Sequence, residues 1–199
     1  MATYTESIEK LIERLIKLPG IGRRSAERII SYILDATDSD VETLVNAITR
    51  VKENVRACKI CHNLSETEIC TICSDQRRNH HLLCVVEGHN DVTSLEKTGT
   101  YKGMYHVLMG AIAPLEGKGP GDLKIDSLLN RIKQEQIQEI ILATDSDTEG
   151  ATTALYLTKV LKPFGVHISR IGIGLPAGSN LEYADSATLS MALESRRSL

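Results

Sequence analysis

Four of the five cysteines fall inside one sixteen-residue stretch, as Cys58-Lys59-Ile60-Cys61 and Cys70-Thr71-Ile72-Cys73. No other feature constrains the fold as tightly as this C-x2-C-x8-C-x2-C spacing. Two CxxC turns can carry four thiolates to the corners of a tetrahedron, the closed geometry of structural zinc with Zn–S near ~2.3 Å. Disulfides suit an oxidising compartment, and the opening MATYTESIEK lacks the basic start and apolar stretch of a signal peptide. A redox CxxC needs one such pair, not two. Iron accepts a similar ligand set and stays open as the metal. Four thiolates leave no position for water, so the metal is expected to staple a segment too short to bury its own core. His62 adjoins the quartet but finds the shell full. The fifth cysteine, Cys84, lies in an apolar run and reads as a buried, inert thiol.

The hydrophobic period changes along the chain. Ile8, Leu11, Ile12, Leu15 and Ile16 share one helical face; so do Ala26, Ile29, Ile30 and Ile33, and then Val41, Leu44, Val45, Ile48 and Val51. Thr3 with Glu6, and Ser39 with Glu42, fit capping boxes. Residues 1–56 are therefore expected to form a small helical domain, and 57–78 a metal module ending in the basic link Arg77-Arg78. Beyond it come short apolar runs, HLLCVVEG, IQEIILATDSD and GVHISRIGIG, separated by helical patterns near 91–97, 125–133 and 151–161. Strands alternating with helices imply a mainly parallel sheet over 79–176. The Gly/Pro-rich stretch 110–122 reads as a long surface loop, and 177–199 as a tail with a helix near 186–195. Trp is absent and Phe occurs once, so the core must be aliphatic. No run approaches the roughly 18 apolar residues of a membrane helix, and a cytoplasmic protein is expected.

The net charge of −3 argues for no global attraction to nucleic acid, so such binding needs a local patch. One exists. Between residues 14 and 28 the cations Arg14, Lys17, Arg23, Arg24 and Arg28 face one carboxylate, Glu27. They surround the turn Leu18-Pro19-Gly20-Ile21-Gly22, which leaves main-chain N–H groups free at the start of the next helix. Such a helix start favours a phosphate, and contacts of this kind give affinity without sequence reading. Lys17, Arg23, Arg24 and Arg28 are the expected DNA contacts.

A second cluster is acidic. Glu87 follows the run LLCVV, and Asp145, Asp147 and Glu149 follow EIILAT. Ligands of open parallel sheets bind beyond the carboxyl ends of strands, and hard oxygen ligands suit Mg²⁺. These four acids are therefore candidates for Mg²⁺ or for a basic partner surface. Helix capping accounts for one aspartate but not for all four acids. Tyr101, Tyr105, Tyr156 and Tyr183 carry no motif and read as packing residues. The P-loop pattern G-x-x-x-x-G-K-[ST] is absent, and ATP hydrolysis is not expected.

The basic hairpin is similar to the helix-hairpin-helix motif of DNA repair proteins, and the acid set resembles the Toprim domain of topoisomerases and primases. The whole chain resembles the bacterial RecR family of recombination mediators. LPGIG, the paired CxxC, VVEG, YHVLMGAIAPLEG, ILATDSDTEGATTALYL and GLPAGSNLEYADSATLSMAL stand in the family order. The resemblance implies an α/β fold class. Its parts are a helical helix-hairpin-helix domain, a small four-cysteine zinc module, a Toprim-type parallel α/β domain and a C-terminal helical tail that serves oligomerisation. It further implies a non-enzymatic, DNA-binding mediator that acts on single- and double-stranded DNA with RecO-like and RecF-like proteins upstream of RecA. Homo-oligomers, tetrameric rings that can encircle DNA, are also implied. The family commonly carries an Asn-Pro type sequence where this chain has Asp145-Ser146-Asp147, so the fuller Toprim acid set is retained here. The rival reading is a Mg²⁺-dependent nuclease or topoisomerase-like enzyme using Glu87, Asp145 and Asp147.

Overall fold

The computed structural model describes residues 4–172, 174–175 and 178–196. The chain divides into two compact units, one ending at Val55 and one beginning at Arg56.

The first unit contains α1 (Glu6–Leu15), α2 (Arg23–Asp35) and α3 (Asp38–Asn54). Ile12, Ala26 and Ile30 form its buried centre, with Ile8, Leu11, Leu15 and Ile21 packed around them. The α1 and α2 stripes thus meet as their spacing predicts. The turn between them closes through Leu18 N–H to Leu15 O and Ile21 N–H to Leu18 O. Gly20 sits at φ +78°, a left-handed position that disfavours a side chain. The third stripe behaves differently: α3 buries no residue, and Leu44, Val45, Ile48 and Val51 are all exposed. The expected Ser39 cap is corrected as well. Thr37 caps α3, accepting from Asp40 N–H at 3.2 Å, and Ser39 lies inside the helix because the chain turns helical two residues earlier, at Asp38. The expected cap Thr3 lies outside the described residues.

The second unit opens with a two-stranded ribbon, β1 (Arg56–Ala57) and β2 (Leu64–Ser65), and a single helical turn, α4 (Thr71–Ser74). A four-stranded parallel sheet follows, with β3 (Asn79–Val86), β4 (Gly103–Val107), β5 (Glu139–Ala143) and β6 (His167–Arg170) in the order β4-β3-β5-β6. The intervening helices are α5 (His89–Lys97), α6 (Ile125–Gln134) and α7 (Thr148–Leu161), and α8 (Ser186–Glu194) comes last. Strand β3 is buried on both faces. Leu83 and Val85 join Ile140, Leu142, Leu128, Ile132, Leu157 and Leu161, while Cys84 and Val86 join Tyr105, Val107 and Val92. This is why β3 reads as a continuous apolar run rather than an alternation.

Strand β4 was not among the expected strands. All five of its residues are buried, including His106 and Tyr105, so no alternation marks it. The 110–122 loop is also more ordered than a surface loop. Ile112 and Ala113 are buried, Ala113 and Lys118 pair as a two-residue bridge, and single turns form at Pro114–Glu116 and Pro120–Asp122. Tyr183 is 81% exposed and packs on little, contrary to expectation, whereas Tyr105 is fully buried. Among the described residues, no helix is long and apolar enough to cross a membrane.

Candidate functional site

The four cysteines converge. All are buried, and their sulfurs lie within 4.8 Å of one another. Cys61 Sγ and Cys70 Sγ stand 3.5 Å apart. A tetrahedron with ~2.3 Å metal–sulfur bonds has edges of about 3.8 Å, so the quartet fits zinc. Local geometry builds it. Cys58 N–H donates to Asn63 O and His62 N–H to Cys58 O, closing the first CxxC into a tight turn with His62 at φ +62°. Cys70 N–H donates to Cys58 Sγ at 3.3 Å. Without a cation the four thiols compete for charge. Hydrogen bonds from Cys61 and Cys73 lower the Cys70 thiol, while hydrogen bonding to Cys70 raises Cys61. Cys73 is raised further by the same neighbours. A bound dication removes that conflict by stabilising all four thiolates. His62 is no ligand: its Nε2 bonds Ser127 Oγ at 2.8 Å. The Ser127 hydroxyl donates to Lys124 O, so the imidazole is the donor and the pair is no nucleophile and base.

The quartet is fastened to the sheet. The four cysteines belong to the same apolar cluster as Leu83, Met104, Leu128 and Ile140. Strand β4 is a sheet edge, and three of its main-chain groups are satisfied from outside the ladder. Val107 N–H donates to Cys61 O at 2.8 Å, Arg131 Nη1 donates to Tyr105 O at 2.7 Å, and Arg78 Nε donates to Gly103 O at 2.9 Å. Arg78 also grips both oxygens of Glu96, which accepts from the Tyr105 hydroxyl as well. The metal loop and two arginines therefore cover an edge that would otherwise invite strand pairing. Arg78 reads as part of a basic link in the sequence, and its side chain is 11% exposed.

The acidic residues sit at the carboxyl ends of β3 and β5, as expected, but they do not close on a common point. Glu87 Oε1 accepts from Asp145 N–H at 3.0 Å. Asp147 caps α7, accepting from Gly150 N–H at 2.8 Å. A Cβ at Gly150 would collide with Asp145 O, so the glycine of the D-x-D-x-E-G run lets the first turn of α7 pack on the loop before it. Burial raises the Glu87 carboxyl, and the nearby Asp145, Asp147 and Asp91 charges add to it. Among the described residues, the cysteines are the one group of three or more metal-ligating side chains that converge. Two of the four acids hold main-chain N–H groups instead. Asp145 and Asp147 are exposed, and Glu87 and Glu149 are half-buried.

In the hairpin, Arg23 is engaged. Its Nη2 reaches both oxygens of Glu9 at 3.1 Å, and its Nε reaches Glu27 at 3.2 Å. Glu9 lies a full helix away in sequence, and only the α1–α2 packing brings it close. Arg14, Lys17, Arg24 and Arg28 are exposed, and among the described residues none of them forms an ion pair. Gly22 is the N-cap of α2, whose first turn holds no acidic residue. Arg78, in the turn before β3, and the helical residues Arg131 and Glu9 escape sequence reading because a charged side chain carries no sign of what faces it.

Four family models match the chain in succession. They are the helix-hairpin-helix of RecR over residues 8–52, the four-cysteine zinc finger domain of RecR over 55–75, the Toprim domain over 81–172, and the C-terminal region of RecR over 174–197. The Recombination protein RecR of Thermobifida fusca (strain YX) is 47% identical over 196 residues, spanning 98% of each chain. That of Paenarthrobacter aurescens (strain TC1) is 48% identical over 194 residues, again spanning 98% of each.

Proposed function

The chain belongs to the RecR family, and from that premise we propose that it is a non-enzymatic, DNA-binding mediator of recombinational repair in the cytoplasm. The relatives are named for recombination. The observation that carries the DNA-binding part is the hairpin tip. There Arg14, Lys17, Arg24 and Arg28 stand exposed and unpaired about the glycine turn and the open start of α2. These groups neutralise phosphates on single- or double-stranded DNA without reading bases. Arg23 joins them by exchanging Glu9 and Glu27 for phosphate.

The zinc of the cysteine module is structural in this reading. Zinc supplies charge compensation and a fixed loop; Cys61 O then holds the β4 edge. The acidic face, Glu87, Asp145, Asp147 and Glu149, receives a basic protein surface, RecO-like, with a RecF-like protein acting in the same loading of recombinase. Charge pairing of this kind sets register and speeds encounter. Self-association uses the uncovered α3 stripe, Leu44, Val45, Ile48 and Val51, and the C-terminal tail, giving a tetrameric ring. A Mg²⁺ enzyme is the weaker reading, because Glu87 and Asp147 are committed to main-chain N–H groups.

Fluorescence anisotropy on labelled DNA across salt concentrations tests the conclusion. Replacing Lys17, Arg24 and Arg28 by alanine together is expected to weaken binding and lower the slope of log K against log salt by roughly two to three. Unchanged binding would remove the hairpin from DNA contact. Mg²⁺-dependent cleavage of that DNA, lost in Asp147→Ala, would replace the mediator by the enzyme.

A further inference from the structure

The 110–122 loop displays one leucine in an unusual way. Leu115 is fully exposed at a tip, flanked by Pro114 and the charged Glu116, with Ala113 buried just before them. The loop beneath it is held at many points. Gly110 N–H donates to Glu87 O at 2.9 Å, and Ile112 N–H donates to Thr153 Oγ1 at 2.8 Å. Ala113 and Lys118 exchange both main-chain bonds at 3.0 Å. Gly117 takes the left-handed turn at φ +75°, and Asp122 accepts from Gly119 N–H at 2.8 Å. A side chain on so fixed a frame loses little freedom on binding, which favours its use as an anchor.

The frame stands on the acidic face. Its first anchor is the main chain of Glu87. Its second is Thr153, whose hydroxyl donates onward to Glu149 O in the first turn of α7. Glu116 sits beside Leu115 and holds Lys118 at 2.7 Å, so the tip adds no net positive charge to its acidic surroundings. Carboxylates on this side repel phosphates, which disfavours a leucine wedged between bases. They attract a basic protein surface instead.

We propose that Leu115 is the apolar anchor of the acidic face, entering a pocket for one aliphatic side chain on a positively charged partner protein. This rests on the reading of that face as the docking surface for a RecO-like protein. The carboxylates guide and align the partner; the leucine supplies the short-range contact that slows its release.

The test is titration calorimetry of the full chain with purified RecO-like protein from the same organism. Leu115→Ala is expected to weaken binding roughly tenfold or more, Leu115→Asp to weaken it further, and Leu115→Met to restore most of it. Leu115 is fully exposed, so the melting temperature of each variant should match the unchanged chain. A second pair of substitutions, Asp145→Asn with Glu149→Gln, is run alongside and should weaken binding in a salt-dependent way. If the acid variant weakens binding and Leu115→Ala does not, the anchor is overturned while the docking surface stands. If neither weakens it, or the unchanged chain does not bind, the docking surface fails and the anchor with it. Leu115→Ala that instead weakens DNA binding, or changes the mass of the assembly, overturns the proposal in favour of DNA or a second copy of this chain.

Discussion

At the cysteine quartet every ligand atom is turned inward, the side chains are buried, and the surrounding main chain is bonded to β4. At the acidic face, in the same folded unit, Asp145 and Asp147 are exposed, and Glu87 and Asp147 hold main-chain N–H groups. Both clusters look like metal sites when read as strings of residue types. Their difference lies in convergence. Four sulfurs within 4.8 Å of one another are placed to hold a cation, whereas two of the spread acids, Glu87 and Asp147, bond main-chain N–H groups. The first cluster is closed to solvent, and the second leaves Asp145 and Asp147 at the surface.

The largest effect expected from this difference follows metal removal. Zinc-finger sites gain on the order of 10 kcal/mol from the metal at neutral pH. A strong chelator, or Cys61→Ser, should therefore abolish the cooperative melt followed by circular dichroism and release one zinc per chain. A metal-free protein that melts as before would erase the distinction between the two clusters. Next comes the edge that the metal loop helps to cover. Arg131→Leu strips Tyr105 O of its donor and leaves Glu135 unpaired, which should cost about 2–4 kcal/mol in urea unfolding. A loss under about 0.5 kcal/mol would mean that the β4 edge needs no arginine.

The quartet's surroundings also predict a pH dependence. His106 is fully buried with its Nε2 on Lys124 O, and burial lowers its pKa to about 3. An unfolded imidazole titrates near ~6.5. Below that value the unfolded chain takes up a proton that the folded chain refuses. The His106 contribution is therefore complete above roughly 6.5 and lost progressively as pH falls toward about 3. Stability of zinc-loaded His106→Gln should fall less steeply over this window than that of the unchanged chain; parallel curves would take His106 out of the acid response.

The acidic face should give the small numbers. Asp147→Ala removes the α7 cap and should cost about 1 kcal/mol with no loss of zinc. Asp145→Asn should change stability by less than about 0.5 kcal/mol. A larger loss at Asp145 would make that face structural and bring the two clusters together again.

The legible part of this protein is the part written in local spacing. The CxxC pairs needed only short turns to place four sulfurs. The apolar stripes of α1 and α2 and the runs of β3, β5 and β6 carry their own period. The LPGIG turn and the acids after β3 and β5 fall where the strand and helix ends put them.

What local spacing could not carry was decided by distant pairing. Strand β4 is invisible because burial on both faces removes the alternation that marks a strand, while Gly103, Tyr105 and His106 break the continuous apolar run that makes β3 legible. Arg78 and Arg131 look like surface charge until Gly103 O and Tyr105 O appear beside them, and Arg23 looks free until α1 brings up Glu9. The α3 stripe has the same helical period as the α1 stripe, yet α1 is covered and α3 is not, because period tells which residues share a face and never what faces them. Leu115 is the same lesson in one residue. Its sequence neighbours mark a turn, and only the bonds to Glu87, Thr153 and Lys118 hold that turn out as a fixed apolar tip. The sequence determined the chemistry each segment can offer; the tertiary structure determined which offers are used inside the fold and which remain at the surface.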